Sequence, residues 1–128
     1  MTKTQIKTWK DLEVWKLSHE LVLKIYAITK TFPKEERYRL VDQLCRSSSS
    51  VPTNISEGKG RNSIKEYIQF LNIASGSVEE TKYLLLLSKD LGYIGDNDFN
   101  ILYEEYGEVG KRFYGLKKSL RAVSNKMK

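Results

Sequence analysis

The sequence predicts an all-α protein that folds as an antiparallel, up-down-up-down four-helix bundle. The chain of 128 residues contains only two prolines. Its apolar residues recur every three or four positions in four segments, which is the spacing of one helical face. The connections between the segments are short, and short connections place amphipathic helices side by side as antiparallel neighbours. The length fits a single domain over residues 1–128.

The first two helices are expected over residues 11–32 and 36–58. Phe32 should end the first helix, because the residue before a proline avoids the helical region. Pro52 lies inside the second helix, where it removes a backbone donor and crowds the preceding turn. We expect a kink there, with a break of the helix at Val51 as the alternative.

The third helix is expected over residues 63–91. Ser63 and Glu66 have the spacing of a capping box, in which each side chain bonds the backbone N–H of the other residue. Gly92 and Gly95 should then stop the helix, since glycine is common just beyond a helix end.

The fourth helix is expected over residues 96–126, with Asp96 or Asn97 as its N-cap. Its apolar residues form a stripe along one helical face, which we call the seam of the helix. They follow one another at spacings of three and four residues without interruption. Three glycines lie within it, and each costs about 1 kcal/mol relative to alanine. They are Gly107, Gly110 and Gly115. Either the helix simply tolerates them, or they allow another helix to approach closely.

Small residues occur in the second and third helices at equal distances from their connection. Residues 47–50 precede Asn62 by 12 to 15 positions, and residues 74–77 follow it by the same number. In an antiparallel pair these two patches should meet and permit close backbone approach. A large side chain at Ser48 or Ala74 should therefore overpack the contact.

Positive charge gathers at one end of the predicted bundle. The chain as a whole has a formal net charge of +6. One end combines the start of the first helix, the connection between the second and third helices, and the end of the fourth. It holds eleven basic and four acidic side chains, a net charge of +7. The basic residues are Lys3, Lys7, Lys10, Lys59, Arg61, Lys65, Lys117, Lys118, Arg121, Lys126 and Lys128. The acidic residues are Asp11, Glu13, Glu57 and Glu66.

This basic end favours contact with a polyanion, with a plain solvated surface as the alternative. Phosphate contacts position a nucleic acid rather than read its sequence. The candidates for such contacts are Lys59, Arg61, Lys117, Lys118 and Arg121. Tyr114 could offer a stacking face for a base, although packing is the more ordinary role.

The four seams do not account for all the apolar side chains. Several lie at least partly outside them, which favours self-association over a wide core with tyrosines flat on the surface. They are Tyr83, Leu84, Leu86, Leu87, Tyr103 and Tyr114.

No pattern in the sequence predicts catalysis, a metal centre or a cofactor. The single histidine, His19, lies beside the apolar stripe of the first helix, and the single cysteine, Cys45, should be a small buried hydrophobe. No nucleophile–base pair accompanies the polar residues near the core. We therefore expect a non-enzymatic protein. The absence of a signal-peptide pattern and of a long apolar run predicts a cytoplasmic protein that does not engage the membrane.

Four stretches together resemble a known family: residues 11–15, 32–36, 49–58 and 66–77. The most specific is Val-Pro-Thr-Asn-Ile-Ser-Glu-Gly at residues 51–58. The chain looks like the bacterial four-helix-bundle proteins called 23S ribosomal RNA intervening sequence proteins, or S23, over about residues 9–121. The family typically has Ile-Pro-Ala-Asn-Ile-Ala-Glu-Gly in the motif, so three positions differ mildly. Arg39 stands where a glycine is common.

The resemblance implies a cyclic homopentamer of bundles, encoded within an insert in the large-subunit rRNA gene. The residues of the motif point to structural roles. Pro52 should bend the helix and Glu57-Gly58 should lead into the turn, while Asn54 and Glu57 are better candidates for hydrogen-bonding that turn than for chemistry. Similar accessory proteins of diversity-generating retroelements bind a reverse transcriptase and nucleic acid through basic surfaces. We therefore expect an oligomer that binds RNA or DNA, with a protein-interaction adaptor, for example for a reverse transcriptase, as the alternative.

Overall fold

The computed structural model describes residues 9–127, and the regular secondary structure of this part of the chain is all helical, with no strand. Four long helices fit a four-helix bundle, which confirms the predicted fold class at that level. Each helix packs against its neighbours in the chain, and the first also packs against the last. The helices are α1 (Trp9–Thr29), α2 (Leu40–Lys59), α3 (Ile64–Asp90) and α4 (Asp96–Lys126), with a 3₁₀ turn at Lys34–Glu36 between α1 and α2.

The helices are joined by polar contacts as well as by the core. The Ser50 and Ser77 hydroxyls lie 2.8 Å apart, and Thr81 donates to the Ser47 hydroxyl over 2.8 Å. The two patches of small residues predicted to meet between α2 and α3 therefore do so. In both pairs, the residue further along α3 contacts the residue nearer the start of α2.

The connection between α1 and α2 differs from the prediction. α1 ends at Thr29 rather than Phe32, and α2 begins at Leu40 rather than near residue 36. Phe32 leaves the helix because it is buried against Tyr93, with ring centroids 5.3 Å apart. Tyr93, in the connection between α3 and α4, in turn donates to Glu36 Oε2 over 2.8 Å. This hydrogen bond holds the 3₁₀ turn against that connection.

α2 runs through Pro52 without a break, so the alternative of an interruption at Val51 is wrong. Asn54 was expected to hydrogen-bond the turn after the helix. Its Nδ2 instead donates back to Ser50, to the carbonyl over 2.8 Å and to the hydroxyl over 2.9 Å. Thr53 bonds the Ser49 carbonyl in the same way. The polar side chains around the proline thus bond carbonyls on their own helix, as hydroxyl and amide groups can.

Gly58 lies in the last turn of α2 and is buried, rather than leading into the turn. A Cβ atom there would lie 2.7 Å from Tyr67 Cδ1 and 2.9 Å from Phe70 Cβ. The close approach of two helices, expected at the glycines of α4, therefore occurs here. Around Gly107, Gly110 and Gly115 the described chain places nothing within 4 Å of an added Cβ, so within this chain that expectation is wrong.

The ends of α3 and α4 agree with the prediction in part. Ser63 caps α3, because its hydroxyl accepts from the Glu66 N–H over 3.1 Å. Gly92 follows the end of α3 with a φ of 82°, a left-handed conformation that glycine adopts readily. Asp96 and Asn97 are not the N-cap of α4. Gly95 takes that position in an extended conformation, which leaves Asp96 in the first turn, where a carboxylate interacts favourably with the helix dipole.

The core is built from the predicted seams of all four helices. Its largest fully buried side chains are Tyr67, Tyr106 and Phe113. Cys45 does not belong to it, because it is only half-buried on the flank of α2. Partial burial still raises the pKa of its thiol. None of the described helices is long and apolar enough to cross a membrane.

Candidate nucleic-acid interface

Lys59 meets a buried carboxylate where three helix ends converge. Asp11, at the start of α1, is only 2% exposed. Lys59 at the end of α2 places Nζ 3.8 Å from Asp11 Oδ1, and Tyr67 at the start of α3 donates to Asp11 Oδ2 over 3.3 Å. Burial, and then the charge of Asp11, raise the pKa of the Tyr67 phenol. We call these three residues the helix-end cluster. Within it, the charge of Lys59 offsets that of Asp11.

Arg61 lies in the connection between α2 and α3. Its guanidinium stands over the Phe70 ring, 4.6 Å from the centroid, and one of its nitrogens is 3.4 Å from Glu57 Oε2. Glu57, the other residue expected to hydrogen-bond the turn, thus pairs with Arg61 across it. The Arg61 side chain is 44% exposed, so an anion could still reach it from solvent.

A second group of cations lies near the end of α4, and we call Lys117, Lys118 and Arg121 the α4 basic patch. Lys117 Nζ donates to Asn72 Oδ1 over 3.1 Å and to Ser75 Oγ over 3.2 Å, both on α3. These acceptors are neutral. Burial, followed by the repulsion of Arg121, lowers the pKa of Lys117. Lys118 and Arg121 are exposed.

The α4 basic patch differs from the helix-end cluster in its charge balance. Among residues 11–127, no carboxylate lies within ion-pair distance of Lys117, Lys118 or Arg121. Lys59 and Arg61 each have one. Like charges that repel without a counter-charge favour the arrival of an anion.

Of the five predicted residues, Arg61 and Lys117 contact the first half of α3, on two different flanks. Arg61 contacts Phe70, which faces α2, whereas Lys117 bonds Asn72 and Ser75, which face α4. Lys3, Lys7, Lys10 and Lys128 belong to the predicted basic end, but their side chains lie outside the described residues. The other seven basic groups and all four acidic groups of that end are among the described side chains.

The face of α4 that leads to the basic patch carries exposed aromatic rings. Tyr103 is 39% and Tyr114 is 68% exposed. With Gly107 and Gly110 between them, they follow a spacing of four, three and four. Lys117 and Arg121 continue it with three and four, so the cations extend the aromatic stripe. We call this the outer seam of α4.

Sequence reasoning missed an aromatic pair on α1. Trp15 and His19 stack with their ring centroids 5.2 Å apart and their planes 16° from parallel. Their spacing of four puts them on one helical face, and this was the signal available. The burial of Asp11 had no such signal, because its partners lie far along the chain. No cluster of His, Cys, Asp or Glu in the described part of the chain could hold a metal ion.

Comparisons with known proteins complete this description. The profile of a family described as "23S rRNA-intervening sequence protein" matches residues 10–115. A crystal structure from Bacteroides thetaiotaomicron, described as a protein of unknown function from the S23 ribosomal protein family, is similar with a TM-score of 0.79 and 28% sequence identity. The similarity covers 85% of this chain and 98% of that one. No curated protein matches the chain.

Proposed function

The chain belongs to the 23S rRNA-intervening sequence protein family, and from this premise we propose that it is a non-enzymatic, self-associating bundle that binds RNA or DNA. The observation that carries the nucleic-acid part is the α4 basic patch. Lys117 and Arg121 repel each other, and none of the three cations has a carboxylate counter-charge among the described residues. Phosphates would supply that counter-charge.

The proposed contacts are to the phosphate backbone. Lys118 and Arg121 are exposed and make the first contacts, while Lys117 is held by Asn72 and Ser75. Arg61 contributes from the connection between α2 and α3. Lys59 contributes least, because it already offsets the buried Asp11. Contacts of this kind bind many sequences with similar affinity.

The test is a titration of labelled single-stranded RNA and duplex DNA at several salt concentrations. We expect Lys118→Glu with Arg121→Glu to weaken binding strongly. On a plot of log affinity against log salt, the slope should become shallower by roughly 0.7 per lost contact on a single strand and 0.9 on a duplex. The matched control is Lys30→Glu with Lys34→Glu, which changes the net charge equally at exposed positions near the end of α1. If both double variants bind alike, the basic patch is not the interface.

The second part of the proposal is self-association in an up-down-up-down bundle, as a cyclic pentamer. The reversed order of the contacts between α2 and α3 supports the antiparallel arrangement. The outer seam of α4 supports association, because its glycines leave open space that another helix could fill. Two exposed tyrosines flank that space, and tyrosine is enriched at protein interfaces.

Light scattering tests this part. Gly110→Gln adds a long side chain where the described chain leaves room, so the fold should persist while the oligomer dissociates. Gly115→Gln lies on α4 outside the outer seam and should leave the mass unchanged. A wild-type protein that is monomeric at high concentration would rule out the pentamer.

The alternative is an adaptor that docks another protein, for example a reverse transcriptase, without touching nucleic acid. The exposure of Ile73 and Tyr83 on α3, at 53% and 59%, favours it. Here the basic patch would be a solvated surface. A stable oligomer that binds no RNA or DNA at low salt would support the adaptor and reject nucleic-acid binding.

A further inference from the structure

A groove between α1 and α2 lies beside the connection that carries Arg61. Its volume is about 280 Å³. Trp15, His19 and Val22 line it from α1, and Pro52 lies on the opposite wall, with hydroxyl residues around it. The hydroxyl residues are Ser49, Thr53 and Ser56. The groove thus has an aromatic wall, an apolar wall and a hydroxyl edge.

The aromatic wall is fixed in position. Trp15 Nε1 donates to Ser56 Oγ over 3.2 Å, which ties the indole of α1 to α2. His19 stacks on the indole, nearly parallel to it, and is itself exposed. The outer face of this two-ring stack is therefore available to a third flat ring. Pro52 also lines the groove, but it is buried in α2, so it limits the space for a ligand and presents little of its ring to one.

The hydroxyl edge can bond the edge of a ring. Ser49 and Thr53 donate their protons to backbone carbonyls one turn back, over 2.8 Å each, which leaves their oxygens as acceptors. Ser56 accepts from Trp15, and its own proton has no hydrogen-bond acceptor among the described residues. Small acceptors and one donor are the groups that the polar edges of bases can engage without strict sequence selection.

Positive charge lies next to the groove. Ser56 also lines an adjoining polar cleft of about 400 Å³, together with Glu57, Gly60 and Arg61. The two cavities therefore meet at Ser56. A ligand with a flat ring in the groove could place an attached phosphate toward Arg61.

We propose that this groove is a stacking site for one unpaired base of a single-stranded nucleic acid, with the base on Trp15 and His19 and its phosphate toward Arg61. This inference rests on the proposed nucleic-acid binding. It assigns a ligand class, because a base inside a duplex is stacked on its neighbours and cannot enter the groove, whereas an unpaired base can. It also assigns the exposed hydroxyl residues next to Pro52, Thr53 and Ser56, a role in binding.

The test compares two probes with the same phosphates, a short oligouridylate and an abasic oligomer of equal length. The protein carries Trp9→Phe, so that Trp15 is its one tryptophan. We expect oligouridylate to quench the Trp15 fluorescence and to bind more tightly than the abasic probe. His19→Ala should weaken oligouridylate binding roughly 5- to 150-fold, the range for loss of one stacked base, and leave abasic binding unchanged.

Two further variants separate stacking from other effects. His19→Tyr keeps a flat ring and should retain most of the oligouridylate affinity. Arg61→Gln should weaken the binding of both probes.

If His19→Ala and wild type bind oligouridylate alike, or if the abasic probe quenches Trp15 equally, the stacking site is wrong. If both probes bind alike and Lys118→Glu with Arg121→Glu abolishes both, the proposed function stands without the stacking site. If neither probe binds at low salt but duplex DNA does, the stacking site is wrong and the proposed function stands; if duplex DNA does not bind either, both fail.

Discussion

Gly58 is the residue where sequence and packing are most closely linked. It lies in the last turn of α2, and α3 passes so close that Tyr67 and Phe70 occupy the space of a side chain. The glycine therefore costs helix propensity but allows α2 and α3 to meet just before their connection. The close contact with α3 explains why a glycine stands in the last turn of α2, just before the chain reverses.

We expect Gly58→Ala to destabilise the fold by about 1 to 3 kcal/mol, because the new methyl group forces Tyr67 or the helix to shift. Urea unfolding followed by circular dichroism measures this. Gly115→Ala is the control: it lies in α4 with open space around it, and it should raise stability by up to about 1 kcal/mol. Equal effects of the two substitutions would contradict the close contact at Gly58.

Two buried tyrosines form a second matched pair. The Tyr106 hydroxyl is buried and has no hydrogen-bond partner among the described residues, whereas that of Tyr67 donates to Asp11. Tyr106→Phe should leave stability unchanged or raise it by about 1 kcal/mol, since an unsatisfied polar group is removed. Tyr67→Phe should lower it by about 1 to 3 kcal/mol, because Asp11 loses a donor. Thermal melting of both variants checks the order, and a reversed order would refute the assignment.

Residue-scale contacts of this kind were only partly predictable. Ser63 was identified correctly, because a cap and its partner lie three residues apart in the sequence. Asp11 and Tyr67 are 56 residues apart, so nothing local marks the acid as buried. Gly58 was misread for the same reason. In a sequence, a glycine that precedes a turn cannot be told from a glycine against which another helix packs, because the packing helix is not marked near it.

At the scale of elements, α2 and α3 are joined by hydrogen bonds between small hydroxyl side chains. Their small residues bring the serine hydroxyls of α2 within bonding distance of Ser77 and Thr81. The sequence predicted this contact because equal distances from one connection define partners in a hairpin of helices. The bounds of α1 were less predictable, since Phe32 leaves the helix for a partner on the α3–α4 connection.

A large side chain at this contact should push the two helices apart. We expect Ala74→Leu to destabilise the fold by about 1 to 3 kcal/mol, because Ala74 is fully buried. The control is Ala122→Leu, an identical change at an exposed position on α4, which should alter stability by less than about 0.5 kcal/mol. An unchanged melting temperature for Ala74→Leu would show that the small residues are not needed there.

At the scale of the whole molecule, the predicted basic end separates into two regions with different charge balance. The apolar periodicity and the order of the helices predicted one basic end, and the five candidate cations chosen there include residues of both regions. They could not show that Lys59 faces a buried acid, because that depends on side-chain packing at three helix ends. The α4 basic patch is the region whose positive charge has no carboxylate counter-charge among the described residues.

The two buried phenols also set how the whole fold responds to alkali. Burial raises the pKa of both Tyr67 and Tyr106. The unfolded chain loses these protons near the ordinary tyrosine value of about 10, whereas the folded chain keeps them. The free energy of unfolding should therefore be unaffected by these groups below about pH 10 and fall above it. Urea titrations from neutral to alkaline pH should show a smaller fall for Tyr106→Phe. An identical fall would contradict this.

The helix-end cluster has a consequence for local unfolding. Asp11 contacts the end of α2 and the start of α3. Fraying of α2 or α3 would leave its buried carboxylate without a partner, and fraying of α1 would take the carboxylate away from both partners. The three ends should therefore open together as one cooperative unit. Hydrogen exchange would report this as a common opening free energy for their amides. Tyr67→Phe should speed exchange at all three ends, including the start of α1.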